Sequence, residues 1–337
     1  MYRIFKCPNC NGPMPLPHCS CGYAVSFNHG VYQLTNDPYM VKDESAEVKY
    51  IGYEDIGEAY SSGAAFYSKS WDEKRNRIAD IIGTGTLLDL GCGDGLFTVP
   101  LLKRGINIIA MDISDKMLAL LYKRAEDMGV ETSNLVACRA NALDVPLIDG
   151  SVDAVIANSM LHLISKPEIV VNEAYRVLKK GGKFISLEDK PTSASYSAAR
   201  NKADLSDEEK SENEKHNGMI GYIHRRYFEI LKAEYGILGT RYSWKFDKET
   251  VCDGLFAKKE KMLIPLDNKI KHNLNDTFIR RMQGKGYSDQ SDVPHDVHVI
   301  VFDRVMNEFT REYGDDALDT AFTGYENDVE ITVYSKD

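Results

Sequence analysis

Apolar and polar residues alternate in blocks along the middle of the chain, and these blocks predict strands and helices in turn. Short apolar runs of buried-strand length predict five strands, near residues 86–90, 107–112, 134–138, 152–157 and 183–188. Apolar residues at helical spacing predict helices near residues 53–82, 95–104, 115–128 and 167–179. Strands that alternate with helices in this way predict a parallel sheet with crossover helices on both of its faces.

The pattern loosens after about residue 190 and becomes regular again in the last third of the chain. Residues 222–234 have helical spacing, and a second helix is predicted to begin near Pro294 and to include residues 297–313. Residues 261–266 and 330–334 predict a sixth and a seventh strand, the seventh antiparallel and at the end of the sheet. The predicted fold class is therefore α/β, with a Rossmann-like sheet of seven strands whose first five are parallel.

The chain has 337 residues, a formal net charge of −10 at pH 7 and 43% hydrophobic residues. The acidic balance argues against a protein that wraps nucleic acid over its whole surface, because such surfaces are basic. No apolar stretch approaches the roughly 18 residues of a membrane span, and the first residues lack the apolar core of a secretion signal. We therefore expect a cytoplasmic protein without a membrane partner.

Four of the seven cysteines lie within the first 21 residues, as Cys7-x-x-Cys10 and Cys19-x-Cys21. Paired cysteines at such spacings are typical of a tetrahedral zinc site, and disulfides are unusual in a reducing cytoplasm. We therefore predict a structural Zn²⁺ that is held by Cys7, Cys10, Cys19 and Cys21. The alternative is a set of reduced surface cysteines without a metal.

The candidate chemistry is concentrated where the strand at 86–90 runs into Gly91-Cys92-Gly93-Asp94-Gly95 and then into a helix. Glycines allow a backbone to approach a ligand closely, and a helix N-terminus offers unpaired N–H groups. A dinucleotide fingerprint would need a further glycine where Leu96 stands. The carboxylates of Asp89 and Asp94 would repel a pyrophosphate and attract an ammonium group, so the loop favours a cofactor with a cationic amino-acid end.

This loop and the segments that follow it resemble, in the same order, the motifs of class I S-adenosylmethionine (SAM) methyltransferases. Residues 88–95 resemble the first motif, residues 112–118 the D-x-S-x-x-M-L segment, and residues 140–147 the adenine-contacting segment. The resemblance covers about residues 50–190 and extends to the methyltransferase type 11 group, which includes ubiquinone and menaquinone biosynthesis methyltransferases. It implies SAM as the cofactor and S-adenosylhomocysteine as its product.

The resemblance also implies which residues contact the cofactor. Asp112 would hold the ribose hydroxyls, and Asn141, where Asp is common in the family, would accept from the adenine amino group. Aromatic residues of the leading helix, Tyr67 among them, would cover the cofactor or pack beneath the helix. The full predicted set is Asp89, Gly91, Cys92, Gly93, Gly95, Asp112, Ile113, Met117, Asn141, Ala142, Asn158 and Tyr67.

The acceptor is predicted to bind at the ends of the fourth and fifth strands. Residues 158–162 lack the Asn/Asp-Pro-Pro-aromatic motif of enzymes that methylate exocyclic amines of DNA bases, and no cysteine stands where cytosine-C5 methylation would need one. His162 is a candidate general base or a residue that closes the cofactor pocket. Glu188 and Asp189 are candidates for positioning the acceptor, with ordinary surface carboxylates as the alternative.

Four segments follow from these assignments. Residues 1–35 are predicted to form a zinc ribbon that ends in a β-hairpin through His29 and Gly30, and residues 36–52 a linker. Residues 53–190 form the SAM-binding core, and residues 191–337 add an acceptor-side insertion or lid together with the C-terminal strands of the same domain. Because so small a ribbon depends on its metal, we expect a chelator to loosen the ribbon and to leave cofactor affinity largely intact.

The sequence leaves three functions open. The first is methyl transfer from SAM to a small-molecule acceptor by in-line displacement, which suits the acidic charge. The second is RNA methylation, because a four-cysteine ribbon before this fold is similar to the layout of bacterial 23S rRNA guanine-N1 methyltransferases, whose ribbon helps to hold RNA. Against it, residues 1–40 carry only Arg3, Lys6 and Asp37 as charges, few for an RNA-binding surface. The third is a scaffold that binds without catalysing, against which the intact Asp89 and Asp112 argue.

Overall fold

One mixed sheet of nine strands organises the part of the chain that the computed structural model describes, which comprises residues 3–35, 69–187, 206–239, 247–264, 269–325 and 329–337. The strands of that part, including four outside this sheet, are β1 (Phe5–Lys6), β2 (Pro13–Met14), β3 (Ser26–Asn28), β4 (Val31–Gln33), β5 (Thr86–Leu90), β6 (Asn107–Asp112), β7 (Leu135–Arg139), β8 (Val152–Asn158), β9 (Leu178–Leu187), β10 (Lys258–Ile264), β11 (Lys269–His272), β12 (Phe322–Tyr325) and β13 (Val329–Ser335).

The α-helices of the same ranges are α1 (Lys69–Ile82), α2 (Thr98–Leu102), α3 (Asp115–Asp127), α4 (Pro167–Val177), α5 (Asp207–Tyr235), α6 (Lys248–Leu255), α7 (Arg280–Gln283) and α8 (His295–Tyr313). Short 3₁₀ turns lie at Leu161–Leu163, Ser288–Gln290 and Asp315–Leu318, and a π-helical turn precedes α7 at Asn275–Ile279. Among the described residues, no helix combines the length and the apolar character that a bilayer crossing requires.

The strand order is β10-β13-β9-β8-β5-β6-β7-β4-β3. Strands β9, β8, β5, β6 and β7 run parallel, which confirms the predicted sheet, and β5 and β6 have the predicted bounds. Their side chains alternate between two apolar layers, one on each face of the sheet. Helices α4 and α6 cover one layer, and helices α1, α2 and α3 cover the other.

The seventh strand of the predicted sheet, β13, is antiparallel as expected, but its predicted place at the end of the sheet is wrong. It lies between β9 and β10 and pairs with both. The reason is visible in the residues: Ile331, Val333 and Tyr334 are buried, whereas β10 begins Lys258-Lys259-Glu260-Lys261. Charged residues, lysine above all, protect an open sheet edge from further pairing, so β10 occupies the edge and β13 the interior.

The N-terminal hairpin extends the main sheet. Strands β3 and β4 pair antiparallel on either side of His29 and Gly30, which confirms the predicted hairpin. Strand β4 then pairs parallel with β7, which would otherwise be the edge of the sheet. The domain boundaries drawn from the sequence stay a prediction. Residues 36–52, predicted as a linker, and residues 53–68, predicted as the start of the leading helix, lie outside the described residues.

A third apolar cluster joins the helices of the C-terminal half, α5, α7 and α8, with the segments around them. Helix α8 follows Pro294 as predicted. Helix α5 is much longer than the predicted 222–234: it begins at a capping box of Ser206 and Glu209 and ends at Gly236 in the left-handed conformation. Its first half lacks an apolar stripe, which is the signal the prediction used. The lid role of this part stays a prediction.

Candidate functional site

The bend between β5 and α2 has the backbone that its sequence predicts. Gly91, Gly93 and Gly95 have φ values of +65°, +55° and +85°, all in the region that side chains with a Cβ rarely adopt. The N–H of Cys92 donates to the carbonyl of Met111 on the neighbouring strand (3.0 Å), which fixes the start of the bend against β6.

The three glycines serve different purposes. A Cβ at Gly95 would lie 2.9 Å from Val99 Cγ2 and 3.0 Å from Leu121 Cγ, so Gly95 lets the bend pack against helices α2 and α3. A Cβ at Gly91 would lie 3.0 Å from Cβ of Met160. At Gly93 a Cβ would meet no heavy atom of the described residues within 4 Å. Gly93 is therefore the glycine whose backbone borders open space and can receive a ligand.

Asp89 lies at the end of β5, 2% exposed, and its Oδ2 accepts a hydrogen bond from Thr98 Oγ1 (2.6 Å). Burial raises the pKa of Asp89 to about 6, with Asp112 raising it slightly further and the Thr98 hydrogen bond opposing both. The carboxylate is thus mostly ionised at neutral pH but poorly solvated. A cationic group would stabilise it.

Asp94, in contrast, does not face the open side of the bend. Its carboxylate forms an ion pair with Arg124 of α3, and Arg124 Nε also donates to the Asp94 carbonyl (2.9 Å). Both side chains are largely buried. The expectation that Asp94 presents its charge to a ligand is therefore wrong, because Arg124 neutralises that charge within the protein.

Asp112 ends β6 beside the bend. Its Oδ2 accepts from the N–H of Gly93 and its Oδ1 from the N–H of Ser114, each at 2.9 Å. A carboxylate oxygen can accept more than one hydrogen bond, so these two backbone bonds do not by themselves prevent Asp112 from accepting a hydroxyl group. The two backbone bonds hold the half-buried carboxylate next to the open space at Gly93, which is the position that a ribose would need.

Three further predicted residues lie around this carboxylate. The Met117 N–H donates to the helix-capping Ser114 Oγ (3.1 Å), and its side chain is buried. The carbonyl of Ile113 accepts from Arg139 Nε (3.0 Å). Burial raises the pKa of the Cys92 thiol well above its ordinary value, so this side chain is a poor nucleophile. The Cys92 thiol is therefore not a candidate nucleophile, and the buried Met117 supports the turn that carries Asp112.

Asn141 and Ala142 follow β7 in a turn. Oδ1 of Asn141 accepts from the N–H of Leu143 (2.9 Å), and the Asn141 carbonyl accepts from Asp144 (3.1 Å). The side chain thus stabilises its own turn, as Asn does in an Asx-turn. The contact to adenine stays a prediction.

The end of β8 provides polar atoms that the sequence reasoning partly missed. Asn158 Oδ1 and Ser159 Oγ are buried and have no hydrogen-bond partner in the structure described, and Ser159 has φ +47°. Such groups are destabilising unless a ligand or water completes them, and strained backbone is common at functional sites. Asn158 was predicted, whereas nothing in the sequence pattern identifies Ser159.

The structure says less about the candidate acid–base residues and about Tyr67. His162 is exposed on the 3₁₀ turn that follows Ser159. Glu188, Asp189 and Tyr67 lie outside the described residues. The roles assigned to all four stay predictions.

These residues fit an adenosyl cofactor with an amino-acid end. Among the described residues, open space borders Gly93, the Asp112 carboxylate lies beside that space as a hydroxyl acceptor, and Asn158 Oδ1 can accept from an ammonium group. The fixed charges that border the bend, Asp89 and Asp112, are negative, which disfavours a pyrophosphate and so a dinucleotide.

A separate cluster brings the four N-terminal cysteines together, with all four sulfur atoms within 4.8 Å of one another. Cys7 and Cys21 Sγ are 3.7 Å apart, and Cys10 and Cys19 Sγ are 3.6 Å apart. Zn–S bonds of about 2.3 Å in a tetrahedron separate the sulfurs by about 3.8 Å, so these spacings fit zinc. A backbone N–H from Tyr23, with help from Asn9, lowers the pKa of Cys21.

Comparisons with known sequences agree with a cofactor site of this kind. Residues 88–186 match the family described as a methyltransferase domain. A phosphatidylethanolamine N-methyltransferase of Cereibacter sphaeroides is 33% identical over 122 residues, 35% of this chain and 59% of that protein. The ubiquinone/menaquinone biosynthesis C-methyltransferase of Methylobacterium nodulans is 38% identical over 105 residues, 30% of this chain and 41% of that protein. The chain thus spans about half the length of these relatives.

A solved structure, the YcgJ protein of Bacillus subtilis, aligns with 79% of this chain and 99% of its own, with a TM-score of 0.45 and 14% identity.

Proposed function

We propose that this chain, whose residues 88–186 match the methyltransferase domain family, is a SAM-dependent methyltransferase that transfers the methyl group of SAM to a small organic acceptor. The observation that carries the proposal is the open space at Gly93 beside the Asp112 carboxylate. An adenosyl group can approach the backbone there, and its ribose hydroxyls can donate to Asp112.

Asp89 supports the same assignment by its charge. A buried carboxylate with a pKa of about 6 gains stability when a cation approaches it. SAM carries an ammonium group and a sulfonium, whereas a dinucleotide carries two phosphates. The field around the bend therefore favours SAM.

Gly93 and Asp112 would hold SAM, which would supply an electrophilic methyl group with a neutral sulfur as the leaving group. The protein aligns the acceptor with the methyl group and sulfur. Ser159, at the end of β8, is a candidate for orienting the acceptor, and His162 for taking its proton.

The charge of the ribbon supports a small acceptor over RNA. Lys6, one of two basic residues among residues 1–40, pairs with Asp144 at 3.1 Å. RNA-binding surfaces need several uncompensated cations. The two relatives described above are named for phosphatidylethanolamine and for quinone biosynthesis, which points to small or lipidic acceptors. Zn²⁺ at Cys7, Cys10, Cys19 and Cys21 would then be structural.

Calorimetric titration with S-adenosylhomocysteine tests the cofactor assignment. Wild-type protein should bind it, whereas Gly93→Arg should abolish binding by filling the adenosyl space. Gly129→Arg is a matched control, since Gly129 is exposed, has φ +61° and borders no heavy atom within 4 Å. It imposes the same backbone strain away from the site and should bind like wild type. Equal affinity in both variants, or preferential binding of NAD⁺ by wild type, would refute the assignment.

The acceptor class requires a separate experiment. Protein incubated with methyl-labelled SAM should transfer label to a small-molecule extract and not to total RNA. Label in RNA, together with heparin retention that falls steeply with salt, would replace the small-molecule proposal by the RNA alternative. SAM binding without transfer to either fraction would favour the scaffold.

A further inference from the structure

We propose that metal occupancy of the four-cysteine cluster sets the affinity of the cofactor site. The ribbon, residues 3–35, is built into the wall of that site through residues 139–148, which consist of the adenine-contacting residues 140–147 and one residue on each side and are called the adenine segment below. The inference rests on the proposed function in one respect, that SAM binds against Asn141 and Ala142 of this segment. It concerns the coupling between two sites rather than the reaction itself.

The first connection is a shared ladder of hydrogen bonds at the end of the adenine segment. The N–H of Lys6 donates to the carbonyl of Pro146 (3.0 Å), and the N–H of Ile148 donates to the carbonyl of Ile4 (2.9 Å). Phe5 and Leu147 form the antiparallel bridge between them. Because β1 also pairs with β2, the end of the adenine segment is in effect the third strand of the ribbon's own small sheet.

The second connection holds the start of the segment. Strand β4 pairs with β7 up to Gln33 and Arg139, and the N–H of Leu34 donates to the Arg139 carbonyl (2.9 Å). Arg139 Nε in turn donates to the carbonyl of Ile113, next to Asp112 (3.0 Å). The ribbon therefore binds the adenine segment at both ends, with Asn141 and Ala142 between the two attachments.

Packing joins the same parts. Phe5, Cys7 and Met14 of the ribbon are fully buried in the apolar cluster that also contains Val145 and Leu147. The predicted metal ligand Cys7 is the next residue after Lys6, the last residue of β1. The N–H of Lys6 makes the hydrogen bond to Pro146. The ribbon has no separate core through which it could move independently of the adenine segment.

The metal is what holds this arrangement in place. Strands β1 and β2 are two residues long, too short to persist without further constraint, and in small metal domains the binding free energy is folding free energy. Loss of the metal frees Cys7 and β1, and the adenine segment loses an attachment. The cofactor must then bind a less ordered site, which lowers its apparent affinity. The structure thus argues against the expectation that chelation leaves cofactor affinity intact.

The test compares full-length wild type loaded with zinc, the same protein after chelation, and Cys10→Ser/Cys21→Ser. Both substituted cysteines are exposed, so the variant removes metal ligands with little loss of packing. Affinity for S-adenosylhomocysteine, measured by calorimetry, should fall by roughly 5- to 150-fold, the usual range for coupled sites. Hydrogen exchange should rise in residues 145–148 and stay unchanged in β5. Phe27→Ser, an exposed position of the same hairpin, should retain both zinc and affinity.

Coupling is reciprocal, so saturating S-adenosylhomocysteine should tighten zinc binding by the same factor in competition with a chelator. This readout follows the metal and needs no activity. Equal cofactor affinity in the loaded, stripped and Cys10→Ser/Cys21→Ser proteins would overturn the inference while leaving the proposed function intact. Zinc-loaded wild type that fails to bind the cofactor at all would overturn both.

Discussion

Alanine substitutions in the glycine bend should separate stability from ligand binding. In Gly95→Ala the new Cβ would lie 2.9 Å from Val99 Cγ2 and 3.0 Å from Leu121 Cγ, well inside the roughly 3.5–4.0 Å optimum for carbon contacts. Both neighbours are fully buried, so neither can move into solvent. Overpacking of about 1–3 kcal/mol adds to left-handed backbone strain of about 1–2 kcal/mol. The free energy of unfolding should therefore fall by about 2–5 kcal/mol.

Gly93→Ala should behave differently, because its Cβ meets no atom within 4 Å in the part of the chain that the structure describes. Only the backbone strain remains, about 1–2 kcal/mol. The methyl group would instead occupy the space proposed for the adenosyl group. We expect affinity for S-adenosylhomocysteine to fall by tenfold or more, which corresponds to a loss of at least about 1.4 kcal/mol of binding free energy.

Urea denaturation followed by tryptophan fluorescence measures the first quantity, since Trp71 packs on Phe97 beside the bend (ring centroids 5.6 Å apart). Calorimetry measures the second. Gly129→Ala is the control for backbone strain without overpacking. Gly129 has φ +61°, and a Cβ there would meet no heavy atom of the described residues within 4 Å. Destabilisation by Gly95→Ala that is no larger than that of this control would exclude overpacking at Gly95, and wild-type affinity in Gly93→Ala would exclude an adenosyl group at Gly93.

Two further predictions concern buried titratable groups. Asp89 has a folded pKa of about 6 against 3.8 in the unfolded chain, so the folded state binds more protons in between and stability falls as pH rises from 4 to 6. Asp89→Asn should therefore be more stable than wild type at pH 7, by up to about 3 kcal/mol, and should bind the cofactor more weakly. If the free energies of unfolding of the two proteins, measured by urea denaturation, changed in the same way from pH 4 to 8, the prediction would be contradicted. His298 accepts from the Tyr227 hydroxyl (2.7 Å) and donates to the Gln283 carbonyl (2.8 Å), and burial lowers its pKa. The unfolded chain then binds more protons below pH 6.5 than the folded chain does. Protection from hydrogen exchange in α5, which carries Tyr227, should therefore fall on acidification in wild type and not in His298→Gln. The same loss of protection in both proteins would exclude His298 as the cause.

The sequence was most informative where structure is decided locally. The bounds of β5 and the bend after it follow from an apolar run that ends in alternating glycines, and both are where the pattern placed them. The sequence did not indicate in the same way which side chains interact with each other. Nothing near Asp94 in the chain indicates that Arg124, thirty residues later, neutralises its carboxylate, and nothing near Asp89 indicates the hydrogen bond from Thr98.

Long-range pairing was the second limit of the sequence reasoning. The four cysteines identify a compact ribbon, but its attachment to the sheet uses backbone groups of Lys6, Pro146 and Leu34. Backbone hydrogen bonds carry no residue signature. The place of β13 could partly have been predicted from the two sequences. Strand β10 is rich in lysine, which is typical of an edge strand, whereas β13 is more apolar. Comparing the two strands indicates that β13 is the interior one.

The most direct test of the central claim is a crystal structure of the full-length protein with S-adenosylhomocysteine. The adenosyl group should lie against the backbone of Gly93, with its ribose hydroxyls within hydrogen-bond distance of the Asp112 carboxylate. Ligand bound elsewhere, with the space at Gly93 still filled by solvent, would contradict the assignment of this bend as the cofactor site.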